Sequence, residues 1–164
     1  MYQHPARLTM ARFATAVVTL ALLVAVSAAR AQPGGNETGV WIDETGKGAV
    51  EITPCGRKLC GRIVWLQTPK DAKGRTLVDD LNVTPDQRGK PICGLQVLGA
   101  LERQTNGGYD SGWVYDPKVG KSYDASIGLT DTNHLSVTGY QGVKMFGKTF
   151  VWTRAPRELP KCAP

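Results

Sequence analysis

The sequence predicts an all-β protein, a small antiparallel up-and-down β-barrel of about eight strands. Three observations carry this. Turn-forming residues recur at short intervals. The runs between them are short and rich in β-branched and aromatic residues. Beyond residue 31 no segment sustains a 3.6-residue apolar period, whereas Trp113/Tyr115 and Phe150/Trp152 stand two apart, like residues sharing one strand face.

In chain order, a first strand is expected at 40–43, followed by the turn Glu44-Thr45-Gly46-Lys47-Gly48. A second strand at 49–53 turns through Cys55-Gly56-Arg57-Lys58 into a third at 61–66. A fourth at 92–101 leads through Asn106-Gly107-Gly108 to a fifth at 112–115. Asp116-Pro117-Lys118-Val119-Gly120 then joins it to a sixth at 122–129. Asp131-Thr132-Asn133 and Phe146-Gly147-Lys148 introduce the last two strands, 134–140 and 149–154. Every connection but one is hairpin-sized. That favours a meander closed on itself, which removes exposed edges, over an open two-sheet sandwich. The exception is residues 67–91, a long charged segment, and long loops in small domains are often functional or simply solvated connectors.

The N-terminus reads as a leader. Arg7 and Arg12 precede an almost wholly apolar run over 13–26, and Ala29-Arg30-Ala31 is the small-x-small pattern of a signal-peptidase site. The run is short for a membrane span and is followed at once by Gln32-Pro33-Gly34-Gly35. The expected organisation is a signal peptide over 1–31, a linker over 32–38, one barrel domain over 39–155 and a tail over 156–164. The product would be periplasmic or secreted, and not integral to the membrane after cleavage. The leader takes three arginines with it, lowering the formal charge of +6 by three. The mildly basic remainder has scattered charges and no stripe for nucleic acid.

Cys55, Cys60, Cys93 and Cys162 all follow the leader, and an even count in an oxidising compartment favours disulfides, with three pairings open. Zinc would want a second close Cys or His pair, and a redox pair usually has two intervening residues at a helix start. Neither pattern is present, so no metal and no cofactor is expected. A calcium site among Asp79, Asp80, Asn82 and Asp86 lacks the EF-hand spacing. His134 stands in a turn context, the serines have no Gly-x-Ser-x-Gly setting, and most acids sit in turns, so catalysis is not expected.

The stretches "GVWIDETGKGAVEITPCGRKLCGRIVWL", "DDLNVTPDQRGKPICGLQVL", "GWVYDPKVGKSYDASIGL" and "LSVTGYQGVKMFGKTFVWTR" resemble, in that order, an exported bacterial family catalogued as domain of unknown function 2147. The resemblance spans residues 39–154. In the long loop the family often has Asn-Pro-Asp before Arg-x-Arg-Pro, where this chain has Asn82-Val83-Thr84-Pro85-Asp86 and Lys90.

What the resemblance implies is a lipocalin-like barrel with no activity attached. In such barrels a Trp of the first strand packs under an Arg from the end of the last, and here Trp41 and Arg154 occupy those places. Counting strands up and down such a barrel puts Cys55 and Cys60 side by side at the bottom, within disulfide reach. Elimination leaves Cys93 with Cys162, which requires the tail to climb the outside of the barrel. The function expected is binding of a small apolar or amphipathic ligand under the long loop, with Trp65, Asn82, Arg88, Trp113 and Tyr115 as candidate contacts. The alternative is an envelope protein–protein interaction or assembly module with a filled barrel.

Overall fold

The computed structural model describes Met1 and residues 37–162. The leader expected over 1–31 and most of the linker lie outside the described residues. Eight antiparallel strands close into a barrel in sequence order: β1 (Gly39–Ile42), β2 (Gly48–Cys55), β3 (Lys58–Leu66), β4 (Gln96–Arg103), β5 (Tyr109–Asp116), β6 (Lys121–Asp131), β7 (His134–Tyr140) and β8 (Lys148–Arg154). Closure is direct: Trp41 pairs with Arg154 and Ile42 with Thr153, joining the first strand to the last. No helix among the described residues is long and apolar enough to cross a membrane.

The strands are longer than the apolar runs suggest, because a tight turn takes fewer residues than its polar composition implies. Cys55 pairs with Lys58 across a two-residue turn, so β3 begins before Gly61. The opposite holds for β4, which starts at Gln96 and not at Ile92. Ile92 gives its N–H to Leu77 of the long connection, and Gly94 and Leu95 bond to Ile63, so this apolar stretch closes the loop before the strand begins. The connection therefore runs over 67–95. It is structured, with bridges between Lys70 and Thr76 and between Val78 and Pro91, and a 3-10 turn at Pro85–Gln87.

Strand alternation sorts the two faces. Ala125, Ile127 and Leu129 of β6 lie opposite Gly139, Val137 and Leu135 of β7. Of these, Ala125, Ile127, Val137 and Leu135 join Trp41, Ile52, Leu98, Leu101 and Trp152 in one contiguous buried cluster drawn from all eight strands, and Leu129 packs against it. The interior is filled by side chains. Left-handed backbone at Ala100 (φ 56°) and Ser111 (φ 57°) accompanies register shifts in β3–β4 and β5–β6. Such bulges sharpen the curvature that closure of a small barrel needs.

The bottom of the barrel carries the Trp41–Arg154 contact. The guanidinium lies 4.0 Å from the indole ring, while Arg154 Nε and Nη1 donate to the carbonyls of Thr132 (3.0 Å) and Thr38 (3.2 Å). The Trp41 indole N–H donates to Glu37 O at 2.8 Å. Both disulfides are present. Cys55–Cys60 staples the β2–β3 hairpin at this end, with Cα atoms 5.8 Å apart. Cys93–Cys162, with Cα atoms 6.3 Å apart, pins the tail to the end of the long connection. The tail leaves the bottom where Ala155 N–H meets Val40 O. It climbs the outside past a Lys161–Glu51 ion pair (2.7 Å) until Cys162 N–H reaches Val64 O of β3.

Candidate functional site

The β1–β2, β3–β4, β5–β6 and β7–β8 connections all open at the top, opposite Trp41. The long one is shaped by its own polar side chains. Asp71 Oδ1 accepts the N–H groups of Lys73 and Arg75, and its Oδ2 accepts Arg75 Nε at 2.8 Å. The backbone bond from Arg75, then its guanidinium, holds the Asp71 carboxyl below the usual carboxylate range. Further along, Asp79 is fully buried. Its carboxylate accepts the Tyr115 hydroxyl (2.7 Å) and the Asn82 amide (2.8 Å). Its backbone is held by Lys90 O and Gly89 N–H. A buried carboxylate without partners is costly, so these bonds fix where the loop sits.

Three of the candidate contacts read from sequence thus converge, but in an internal network. Tyr115 and Asn82 bond Asp79, Asn82 Oδ1 caps Thr84 N–H (2.9 Å), and Arg88 Nε donates to Asn82 O (2.6 Å). Trp65 and Trp113 take no part in it. Trp65 is half-buried on β3, paired with the fully buried Ala49. Trp113 pairs with exposed Asp124, whereas its neighbours Gly112 and Val114 pair with Ala125 and Tyr123. Trp113 therefore sits on the outer face, its ring so close over Gly99 that a Cβ there would enter it. Tyr115, two residues on, shares that face and is buried beneath the long connection. Sequence reasoning set Asp79 among several loop acids; nothing local marks it, because only the fold makes it the buried one.

The β5–β6 turn packs against the same loop. Gly120 takes a left-handed φ of 67°, and a Cβ on it would collide with the Leu81 carbonyl. Around this contact the apolar side chains face solvent: Leu81 is 58%, Val83 73% and Val119 50% exposed. The β7–β8 connection exposes more, with Val143 at 55% and Met145 and Phe146 at 80% each. Sequence reasoning counted Phe146 as the edge of a turn and passed over Met145. The signal available was two large apolar residues between lysines at a turn, where polar residues are the norm.

Asp110 organises the flank below that connection. It accepts Lys144 Nζ (2.7 Å), Tyr140 OH (2.9 Å) and the Ser111 N–H (2.8 Å). Burial opposes its ionisation, yet these donors hold the carboxyl below its ordinary range. Burial, then the bond to Asp110, pushes the Tyr140 hydroxyl up. A polar cleft of about 540 Å³ opens beside it, lined by Ser126, Ser136, Thr138 and Lys144 among others. A smaller one of about 180 Å³ lies between the tail and β3, at Glu51, Arg62, Val64 and Lys161. At the other end His134 Nδ1 sits 2.8 Å from Asp131 Oδ2, an exposed pair. Among the described residues no group of three or more His, Cys, Asp or Glu side chains is placed to hold a metal ion.

A family model described as an uncharacterized protein conserved in bacteria (DUF2147) matches residues 39–154. A solved Helicobacter pylori protein described as belonging to the lipocalin family superposes with a TM-score of 0.65. The alignment covers 77% of this chain and 90% of that one at 23% identity, a likeness of fold. No curated protein gives a significant match.

Proposed function

This chain belongs to the DUF2147 family of bacterial proteins, and on that premise we propose that it is a non-catalytic envelope protein that binds an apolar or amphipathic small molecule at the loop-bearing end of its barrel. The observation that carries this reading is the placement of six exposed apolar side chains, Leu81, Val83, Val119, Val143, Met145 and Phe146, all on connections at that end. Large apolar side chains exposed on several connections at one end of a domain, where polar residues are the norm, mark that end for binding. The polar residues of the long connection serve to hold its shape, which suits a binding platform better than a reaction centre. Export is supported by the leader pattern over 1–31 and by two disulfides, which persist in oxidising compartments.

A specific observation also favours a protein–protein role. The interior is filled from all eight strands, so the barrel makes a rigid scaffold that displays loops. In that reading the same apolar end meets a partner in the envelope.

Native mass spectrometry of protein purified from its own periplasm tests the assignment. A bound small molecule, lost in the Met145→Ser/Phe146→Ser double variant, is the expected result. Apo protein on repeated preparation counts against it, and a stoichiometric protein complex in its place moves the assignment to the second reading. N-terminal sequencing of the exported protein is expected to begin at Gln32.

A further inference from the structure

We propose that the loop-bearing end docks on an anionic phospholipid bilayer, with Met145 and Phe146 entering the acyl boundary and the lysines beside them meeting headgroups. This rests on the reading of that end as the binding end, and it names a surface where the proposed function names a small molecule.

The exposed tip is an ordered turn. Phe146 N–H bonds Val143 O at 3.1 Å and Gly147 N–H bonds Lys144 O at 2.9 Å. At its stem the Thr138 and Thr149 hydroxyls bond at 2.8 Å, and Lys144 and Tyr140 both reach Asp110. Met145 and Phe146 are therefore held out in water by hydrogen bonds on either side, each 80% exposed. Holding two large apolar side chains out in water forgoes the gain of burying them, so the fold alone does not account for the arrangement.

Lysines outnumber acids at the two lysine-flanked tips: Lys118, Lys121, Lys144 and Lys148 stand there against Asp116, which opens the β5–β6 turn, and Asp110, which pairs with Lys144. Lys144-Met145-Phe146-Gly147-Lys148 and Lys118-Val119-Gly120-Lys121 each place apolar side chains between two lysines, on connections that open at the same end of the barrel. Between residues 132 and 157 there is no Asp or Glu. Lys144 is neutralised by Asp110, leaving Lys118, Lys121 and Lys148 to supply the positive field. Apolar tips flanked by lysines, with a net positive balance, fit the interface of a bilayer with negative headgroups. Lysine suits it further, because its stem lies along apolar surface while the ammonium stays in the headgroup layer. A protein partner fits less well: lysine is depleted at the cores of protein interfaces, which favour one close-packed patch over separate protruding tips.

Co-sedimentation of the mature protein with vesicles of phosphatidylcholine mixed with phosphatidylglycerol, against phosphatidylcholine alone, tests this. Binding to the anionic vesicles that weakens with added salt is expected. The Met145→Ser/Phe146→Ser double variant should bind about tenfold more weakly or worse, with its urea unfolding midpoint unchanged. Lys118→Gln, Lys121→Gln and Lys148→Gln should each weaken binding about fivefold. Failure of the unaltered protein to sediment with anionic vesicles overturns the proposal, as does undiminished binding by the double variant. Cross-linking from position 146 to an envelope protein, without vesicle binding, also overturns it and assigns the end to a protein. A small-molecule adduct without vesicle binding sinks the docking alone; vesicle binding without an adduct sinks only the small-molecule reading.

Discussion

Tyr115 donates its phenol hydrogen to the fully buried carboxylate of Asp79 at 2.7 Å, across 36 positions of sequence. That bond ties the long connection to the outer wall of β5. Tyr115→Phe keeps the ring and deletes the donor, leaving the carboxylate only the Asn82 amide. The expected loss is about 1–3 kcal/mol, seen as a lower urea midpoint together with faster proteolytic cleavage within residues 67–95. Unchanged protease resistance would show that the loop is held elsewhere.

The same bond sets an alkaline limit. Burial, then the Asp79 carboxylate, pushes the Tyr115 hydroxyl up to about 12 from its ordinary 10.0. The unfolded chain gives up that proton first. The contribution is therefore complete below about pH 10 and lost as pH rises through about 12. The stability gap between the unaltered protein and Tyr115→Phe should shrink across that window; a constant gap would contradict the assignment.

Arg154 closes the bottom of the barrel through its ring contact with Trp41 and its bonds to Thr132 and Thr38. Arg154→Ala should cost about 2–4 kcal/mol in urea unfolding, combining a cation–π contact with charged hydrogen bonds. Arg154→Lys keeps the charge without the planar fork and should recover only part of this. Full recovery by lysine would mean that charge alone matters there.

The two disulfides should differ in worth. Cys93–Cys162 closes a loop of sequence separation 69 and Cys55–Cys60 one of 5. On the chain-entropy account the first contributes about 4 kcal/mol and the second about 2. Paired Cys→Ser variants compared by thermal and urea unfolding check the order, and the reverse order would point to strain or residual structure.

Gly120→Ala combines a left-handed backbone with a collision against the Leu81 carbonyl. It should destabilise by about 1 kcal/mol or more and loosen the long connection, giving faster amide exchange near Leu81 than near Ile52. Equal exchange at both places would show that the turn and loop are not coupled.

Much of the fold was legible because strands announce themselves locally. The turn spacing and the quoted motifs point to a barrel of eight strands and to the family that the chain belongs to. The misplaced start of β4 has a physical cause: Ile92 to Leu95 are as apolar as a strand but bond back to the loop and to Ile63. The site was less legible. Trp113 and Tyr115 read as ligand contacts sharing one strand face, yet which way that face points depends on register, which one bulge near Ser111 resets. Asp79 looks like any loop acid until the chain folds over it, whereas Met145 and Phe146 stand between lysines at a turn, a signal that their exposure makes plain.

Pairing of Trp41 with Arg154 has a kinetic meaning as well. The earliest strand has no neighbour on one side until the latest strand arrives, so β1 stays an open edge throughout most of the chain's emergence. Such late, non-local pairing makes folding slow and leaves an adhesive strand exposed meanwhile. A helper that shields unpaired strands would act on this interval, and the four residues of β1 keep that vulnerable edge short.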